Sequence, residues 1–441
     1  MQASKTHTIT NPTLLNDNNA SNANPNNLSP PSQLNILFLV PHPFYQDRGS
    51  PIADKLVLRF LSKQGEKVDV VTYAEGKNID FENINIYRTI KIPFIRNIRP
   101  GFSWKKMVYD LLMFVEVIKL ISHKKYDLVH AVEESVFIAL VLKFLFKIPY
   151  IYDMDSSLAQ QMEEKYPFLS HFSPILKWFE KKAVKNAEVV VPVCEALAND
   201  IAKYEPQKVT LLPDVSLLND NAGETQLNSK VNIKVGNTTL MYVGNLEQYQ
   251  GIDLLLESLS QALKHTEKVE LVIVGGNPED IKKYQHKANK LGLNHKVRFL
   301  GAKPASELGK YLSQADVLVS PRIKGKNTPM KIYSYLDSGK PVLATDLPTH
   351  TQVLNSNISM LSKPTPEEFA KGMVSLIEDP SLRLRLGVAA KMMVQKNHSY
   401  SAFCEKLGNL YNEVKLKLKS NKNRNMASEQ ILVQASNYKV S

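Results

Sequence analysis

The chain has only two cysteines, Cys194 and Cys404, far apart in its 441 residues. That excludes a disulfide framework and a multi-cysteine metal cluster, and it suits a reducing cytoplasm. Long apolar runs are lacking as well. The most hydrophobic segments are interrupted by charge at Glu116, Lys119, Lys143 and Lys147, so no stretch reads as a membrane span. No basic start followed by an apolar run marks a signal peptide. Phosphate-binding fingerprints are missing too. Gly325-Lys326 is followed by Asn327 instead of Ser or Thr, which removes a Walker A motif, and neither Gly244 to Gly251 nor Gly275-Gly276 makes a G-x-G-x-x-G. A nucleotide triphosphatase and an NAD-dependent enzyme are thereby disfavoured. Zinc-finger spacing and RNA-binding aromatic signatures are absent, which argues against nucleic acid as a partner.

What is present is a chain 43% hydrophobic and 22% charged, large enough for two globular domains with separate cores. Its net charge of +12 calls for anionic partners. Residues 1–33 are rich in Asn, Ser, Thr and Pro and read as a disordered leader. From Leu34 short buried strands alternate with amphipathic helices, the pattern of a doubly wound α/β sheet. That first domain spans 34–215. Residues 216–238 are polar and read as a linker or exposed excursion, and a second alternation fills 239–396. A helix over 397–418 is expected to return to the first domain, with 419–441 a flexible tail. Two Rossmann-like domains should bind their ligand between them, outside the carboxyl ends of the strands.

The loops at those ends therefore carry the candidates. After the first strand come Arg48, Gly49 and Ser50, where glycine lets backbone approach a ligand that Arg48 and Ser50 can contact. The equivalent loop of the second domain runs from Gly244 and Asn245 to Gln250 and Gly251. The most informative stretch is Ser320 to Asp346. A strand empties into a basic loop holding Arg322, Lys324, Gly325, Lys326, Asn327, Thr328 and Pro329, and a helix follows. The spacing puts Thr328 at its N-cap and Pro329 at its first position. Basic side chains, glycine and a helix start converging on one point suit a phosphate.

These motifs together resemble the retaining glycosyltransferases of the GT-B fold in the large family-four group (glycosyltransferase group 1 type). Tyr242-Val243-Gly244-Asn245-Leu246 with Gly251-Ile252-Asp253 resembles the start of that family's donor domain, and Lys331-Ile332-Tyr333-Ser334-Tyr335-Leu336 with Gly339-Lys340-Pro341-Val342 its nucleotide-sugar signature. Asp127-Leu128-Val129-His130 resembles a family strand ending in histidine, and Arg48-Gly49-Ser50 stands where the family has a glycine-rich loop. The resemblance covers roughly Leu34 to Lys415. It departs from the family where Asn245 and Gln250 replace an arginine and a lysine, and where Lys326 and Ser334 replace a pair of glutamates.

The resemblance implies transfer of a sugar from a nucleotide sugar, a UDP- or GDP-sugar as co-substrate, with retention and without a metal or other cofactor. Arg322 and Lys331 would stabilise the leaving diphosphate, and His130 would meet the reacting sugar. Gly49, Ser50, Gly244, Asn245, Gln250, Lys324, Gly325, Asn327, Thr328, Pro329 and Ser334 would line the donor, with Ser334 on the ribose. Arg48, Glu133, Asp153 and Asp155 would face the acceptor; Asp153-Met154-Asp155 spells a D-x-D, read as acceptor contact or loop capping in preference to a metal site. The acceptor would be a sugar or a lipid-linked molecule. Lys91 to Lys125 mixes cations with aromatic and aliphatic residues, which suits an anionic membrane surface, so the expected place of work is the cytoplasm, peripheral on the inner face of the membrane. A non-catalytic sugar-nucleotide or polyanion binding protein and a sugar-nucleotide epimerase are the alternatives.

Overall fold

The computed structural model describes residues 33–46, 49–95, 98, 103–159, 162, 173–218 and 236–437, with side chains to 424. The expected leader lies outside the described residues, as do Arg48 and most of the expected linker.

Two six-stranded sheets, all parallel, organise the chain. The first is built from β1 (Asn35–Val40), β2 (Lys67–Thr72), β3 (Ile84–Arg88), β4 (Leu128–Val132), β5 (Tyr150–Met154) and β6 (Val189–Pro192), in the order β3-β2-β1-β4-β5-β6. The second is built from β7 (Thr238–Val243), β8 (Val269–Val274), β9 (Val297–Gly301), β10 (Val317–Ser320), β11 (Val342–Thr345) and β12 (Met360–Ser362), in the order β12-β11-β10-β7-β8-β9. Each domain's first strand lies between its second and its fourth. The direction in which strands are added to the sheet reverses there, between β1 and β4 and between β7 and β10, and the crevice outside those strand ends is where such sheets bind ligands.

Helices cover both faces of each sheet, which is why the strands are apolar runs without alternation. On one face of the first sheet lie α2 (Trp104–His123), α3 (Val136–Phe146), α4 (Ser173–Asn186) and α5 (Glu195–Ala202), sharing a core of Tyr109, Met113, Leu142, Val184 and Leu197. On the other lie α1 (Gly49–Lys63) and, from the far end of the chain, the last described helix. The second sheet is covered by α6 (Ile252–Ala262), α7 (Pro278–Lys290), α8 (Leu308–Ser313), α9 (Lys331–Asp337), α10 (Pro348–Thr351), α11 (Pro366–Glu378) and α12 (Pro380–Asn397). α13 (Tyr400–Asn437) buries Phe403, Leu407, Leu410, Tyr411 and Val414 against the first sheet. At about 1.5–3 kcal/mol for each large apolar side chain, that seam ties the chain's end to its beginning. Lys415 pairs with Glu66 and Lys417 with Glu188 along it. The helix runs to Asn437, well past residue 418, where the sequence pattern ends it.

One local expectation fails. α9 begins at Lys331, two residues later than the Thr328-Pro329 signal predicts, and its N-cap is Met330 without a side-chain bond. The Ile332 N–H bonds the Pro329 carbonyl and the Tyr333 N–H the Met330 carbonyl, so a tight turn precedes the helix and leaves Thr328 no amide to cap.

Candidate functional site: two facing strand ends of opposite charge

At the carboxyl end of β7 the chain turns at Gly244, φ 153°, where a Cβ would lie 3.0 Å from both the Lys331 ammonium and the Tyr242 hydroxyl. The loop then passes Tyr249 and Gln250 to Gly251, φ 74°, whose absent Cβ would stand 1.9 Å from the Pro321 carbonyl. Only glycine lets this loop press on the one after β10. The contact is sealed by the Ile323 N–H on the Tyr249 carbonyl at 3.0 Å.

That close approach creates a cationic nook. Arg322 is buried, donating from Nε to the Lys324 carbonyl at 2.7 Å and from Nη2 to Asn327 Oδ1 at 3.0 Å, with its guanidinium 5.2 Å from the centre of the Tyr249 ring. Lys331 donates to Gln250 Oε1 at 3.0 Å and lies 3.9 Å from the centre of the Tyr242 ring. Neither makes an ion pair with a carboxylate among the described residues. Burial pushes the Lys331 ammonium well below its ordinary pKa, and the neighbouring Arg322 charge pushes it further. Burial lowers Arg322 too. Beneath them His350 is driven down to about 3, first by burial and then by the charges of Arg322 and Lys331, against a backbone hydrogen bond at Thr345; its neutral ring meets Ser320 Oγ at 2.9 Å and Thr345 Oγ1 at 3.0 Å.

Several candidates belong to this nook. Gln250 and Asn327 hold the two cations, Gly244 and Gly325 make room for them, and Thr328 and Pro329 are buried in the turn before α9. Lys324 is exposed beside Arg322. Asn245 is exposed, its carbonyl accepting from the Tyr242 hydroxyl at 2.5 Å. Ser334 is a correction. It is fully buried, and its hydroxyl accepts the Leu217 N–H at 3.0 Å, so it braces the connector between the domains and is closed to a ribose. Lys326 also looks elsewhere, pairing with Asp200 of α5 at 2.6 Å. Tyr242 and Tyr249 were legible as loop neighbours. His350 had no signal, since nothing local links it to Arg322.

The first sheet's edge is acidic. His130 is the second correction. Its ring is fully buried, stacked on Phe38 at 4.4 Å, with Nδ1 on the Tyr411 hydroxyl at 2.7 Å and Nε2 on Asp153 Oδ2 at 3.1 Å. With both nitrogens engaged it is a strut between the sheet and α13, not a group that can meet a sugar. Ser50, opening α1 behind Gly49, is hydrogen-bonded to Asp155 and so stands with the carboxylates. Asp54, Asp153, Asp155 and Asp214 line one cavity of about 20 Å³. Burial, then Asp153, raises Asp155 well above the usual range, and the same two causes bring Asp214 to about 7. Glu133 is also pushed up to about 7, by burial and by Glu134, against the opposing charge of Lys106. No group of three or more His, Cys, Asp or Glu side chains among the described residues is arranged to hold a metal ion.

Comparison with known proteins agrees with this two-part layout. Residues 56–214 match the model of Glycosyltransferase Family 4, and residues 224–393 that of Glycosyl transferases group 1. A D-inositol 3-phosphate glycosyltransferase of Corynebacterium diphtheriae is 23% identical over 383 residues, covering 81% of this chain and 88% of that protein. Among solved structures, sucrose-phosphate synthase of Thermosynechococcus elongatus superposes with a TM-score of 0.71 at 19% identity, over 87% of this chain and 99% of that one. Anabaena HepE in complex with UDP-glucose gives 0.63 at 14% identity, over 86% and 100%.

Proposed function

Because the chain belongs to the glycosyltransferases and carries their two-domain GT-B fold, we propose that it moves a sugar from a UDP- or GDP-sugar to an acceptor with retention, Arg322 and Lys331 taking the leaving diphosphate. The observation that carries this reading is the pair of adjacent, desolvated cations with no carboxylate beside them among the described residues. Placing such charges side by side away from water costs several kcal/mol, and a diphosphate offsets that cost. The arriving anion restores the Lys331 proton. As the bond from the anomeric carbon to the phosphate oxygen breaks and the acceptor oxygen bonds that carbon, negative charge grows on the diphosphate, where two fixed cations stabilise it. That a similar fold holds UDP-glucose supports a nucleotide sugar as the donor.

The acceptor's polar head would sit opposite, at Glu133, Asp153 and Asp155, where the Glu133 carboxyl, raised to about 7 by burial and by Glu134, suits exchange of a hydroxyl proton. Among the described residues no helix is long and apolar enough to cross a membrane. The proposed place of work is the cytoplasm, peripheral on the inner face of the membrane, in keeping with the net charge of +12. A thermal-shift panel of UDP, GDP and their sugars tests the donor half: a true donor at about 100 times its dissociation constant adds about 2.7 kcal/mol. Proton NMR of the product tests retention. Release of free nucleoside diphosphate without any acceptor, or no stabilisation by any nucleotide, overturns the reading.

A further inference from the structure

The loop that carries Arg322 is held by two sets of bonds. The first set lies within its own domain, where Thr349 Oγ1 donates to the Asn327 carbonyl at 2.8 Å and Gln352 Nε2 to the Lys326 carbonyl at 2.5 Å. The second set crosses to the first domain. Lys326 Nζ pairs with Asp200 Oδ2 at 2.6 Å, and Gln352 Oε1 accepts the Ala196 N–H at 3.0 Å. Ala196 and Asp200 are four residues apart on α5 and so share one face of it. Ala196 is in the first turn, where N–H groups have no partner inside the helix, so the second domain satisfies a donor of the first. Gln352 works in both directions at once, with its side-chain oxygen on α5 and its amide nitrogen on the Arg322 loop.

Arg322 takes its geometry from that same loop. Its guanidinium donates to the Lys324 carbonyl and to Asn327 Oδ1, the residues that flank Gly325-Lys326, and a Cβ on Gly325 would stand 2.2 Å from Nη2. A shift of Lys326 therefore carries the guanidinium with it. The helix bearing Lys331 is also braced from outside its domain. Ser216 Oγ donates to Asp337 at 2.5 Å, the Leu217 N–H bonds Ser334, and the His398 ring centre lies 4.7 Å from that of Tyr333. Lys326 and Ser334, the two positions that depart from the glutamate pair of the resemblance, both serve this bracing. We infer that Asp200, Lys326 and Gln352 are positioning residues, through which α5 of the first domain sets the Arg322 guanidinium for the donor's diphosphate. The inference rests on the sugar-transfer reading and adds residues to its donor site that touch no donor. An exposed ion pair contributes little stability, so what the pair of Asp200 and Lys326 supplies is geometry.

The sign of one effect separates this role from plain electrostatics. Asp200→Ala removes a negative charge beside a basic loop, and Coulomb attraction alone would then tighten a nucleoside diphosphate. Loss of positioning weakens it instead. Titration calorimetry with UDP and GDP should show, for the nucleotide that the unaltered protein binds, affinity about threefold weaker in Asp200→Ala and about fivefold weaker in Gln352→Leu. The corresponding nucleoside, uridine or guanosine, should bind all three proteins alike, because only the diphosphate meets Arg322. Asp200→Glu, which can keep the pair, should restore most of the affinity. The double variant should lose less than the product of the two single losses, since both act on one loop. Asp200 and Gln352 are only part-buried, so both variants should fold, with melting temperatures close to that of the unaltered protein. Unchanged or tighter diphosphate binding in Asp200→Ala and Gln352→Leu overturns this inference alone, as does an equal loss for the nucleoside. No binding of UDP or GDP to the unaltered protein overturns the sugar-transfer reading and the inference with it.

Discussion

The two sheets have the same strand order, counted from each domain's first strand, and present opposite charge at equivalent edges. Beyond β7 and β10 lie Arg322, buried, and Lys331, half-buried, neither with a described anionic partner; at the ends of β1, β4 and β5 lie Asp54, Glu133, Asp153 and Asp155. Identical topology therefore does not determine what an edge binds; the loop residues do. The difference also makes the edges respond oppositely to pH. Glu133 and Asp214, both raised to about 7 from ordinary values of 4.5 and 3.8, contribute stability that is full below those ordinary values and lost as pH rises through 7. His350, lowered to about 3 from 6.5, contributes stability that is present above 6.5 and lost as pH falls towards 3. Lys331, lowered from 10.5, makes the ligand-free protein more stable as pH climbs towards that value.

The largest expected effect comes from removing the basic edge. Lys331→Met and Arg322→Ala should each slow transfer by about 3 to 4 kcal/mol of activation energy, and Lys331→Met should raise the melting temperature of the ligand-free protein. Full turnover in both variants would dissolve the contrast between the edges. Next is the glycine that brings the two loops of that edge together. Gly251→Ala should lose at least about 1–2 kcal/mol from its left-handed backbone, and more from the Pro321 carbonyl in its path, as read by denaturant unfolding. A neutral result would mean that the loops part easily. The acidic edge is sharpened by Asp214→Asn, which should flatten the loss of stability between pH 3.8 and 7, measured as melting temperature across that range. An unchanged profile would show that Asp214 is ionised throughout. Smallest is Ser334→Ala, expected to cost about 1 kcal/mol for its hydrogen bond to Leu217 while leaving nucleotide affinity alone by titration calorimetry. Weakened affinity would return Ser334 to the donor site.

Much of this was legible because it is local. Strands buried on both faces must be short apolar runs, so β1, β8 and β10 announce themselves, and the alternation with helices limits the fold to doubly wound sheets. Arg322, Gly325 and Lys331 stood out because a basic loop before a helix is a contiguous pattern. The neighbouring cap signal at Thr328 misled by two residues, since a tight turn competes with the first turn of a helix in the same few positions.

What the sequence by itself determined is thus the two-domain architecture and the clustering of cations in the loop after β10, both written in residues close together in the chain. Tertiary structure decided which of these residues are open to a ligand. His130 reads from the sequence as the end of a strand, where a site residue should be, yet it lies midway along β4 and Tyr411, 281 positions away, covers it; Ser334 lies on the signature helix, yet Leu217 holds its hydroxyl; His350 reaches Arg322 only because β11 returns beside β10. Whether a polar side chain faces solvent or a neighbour depends on helices packing across the sheet, and that packing joins segments too distant for any local periodicity to encode.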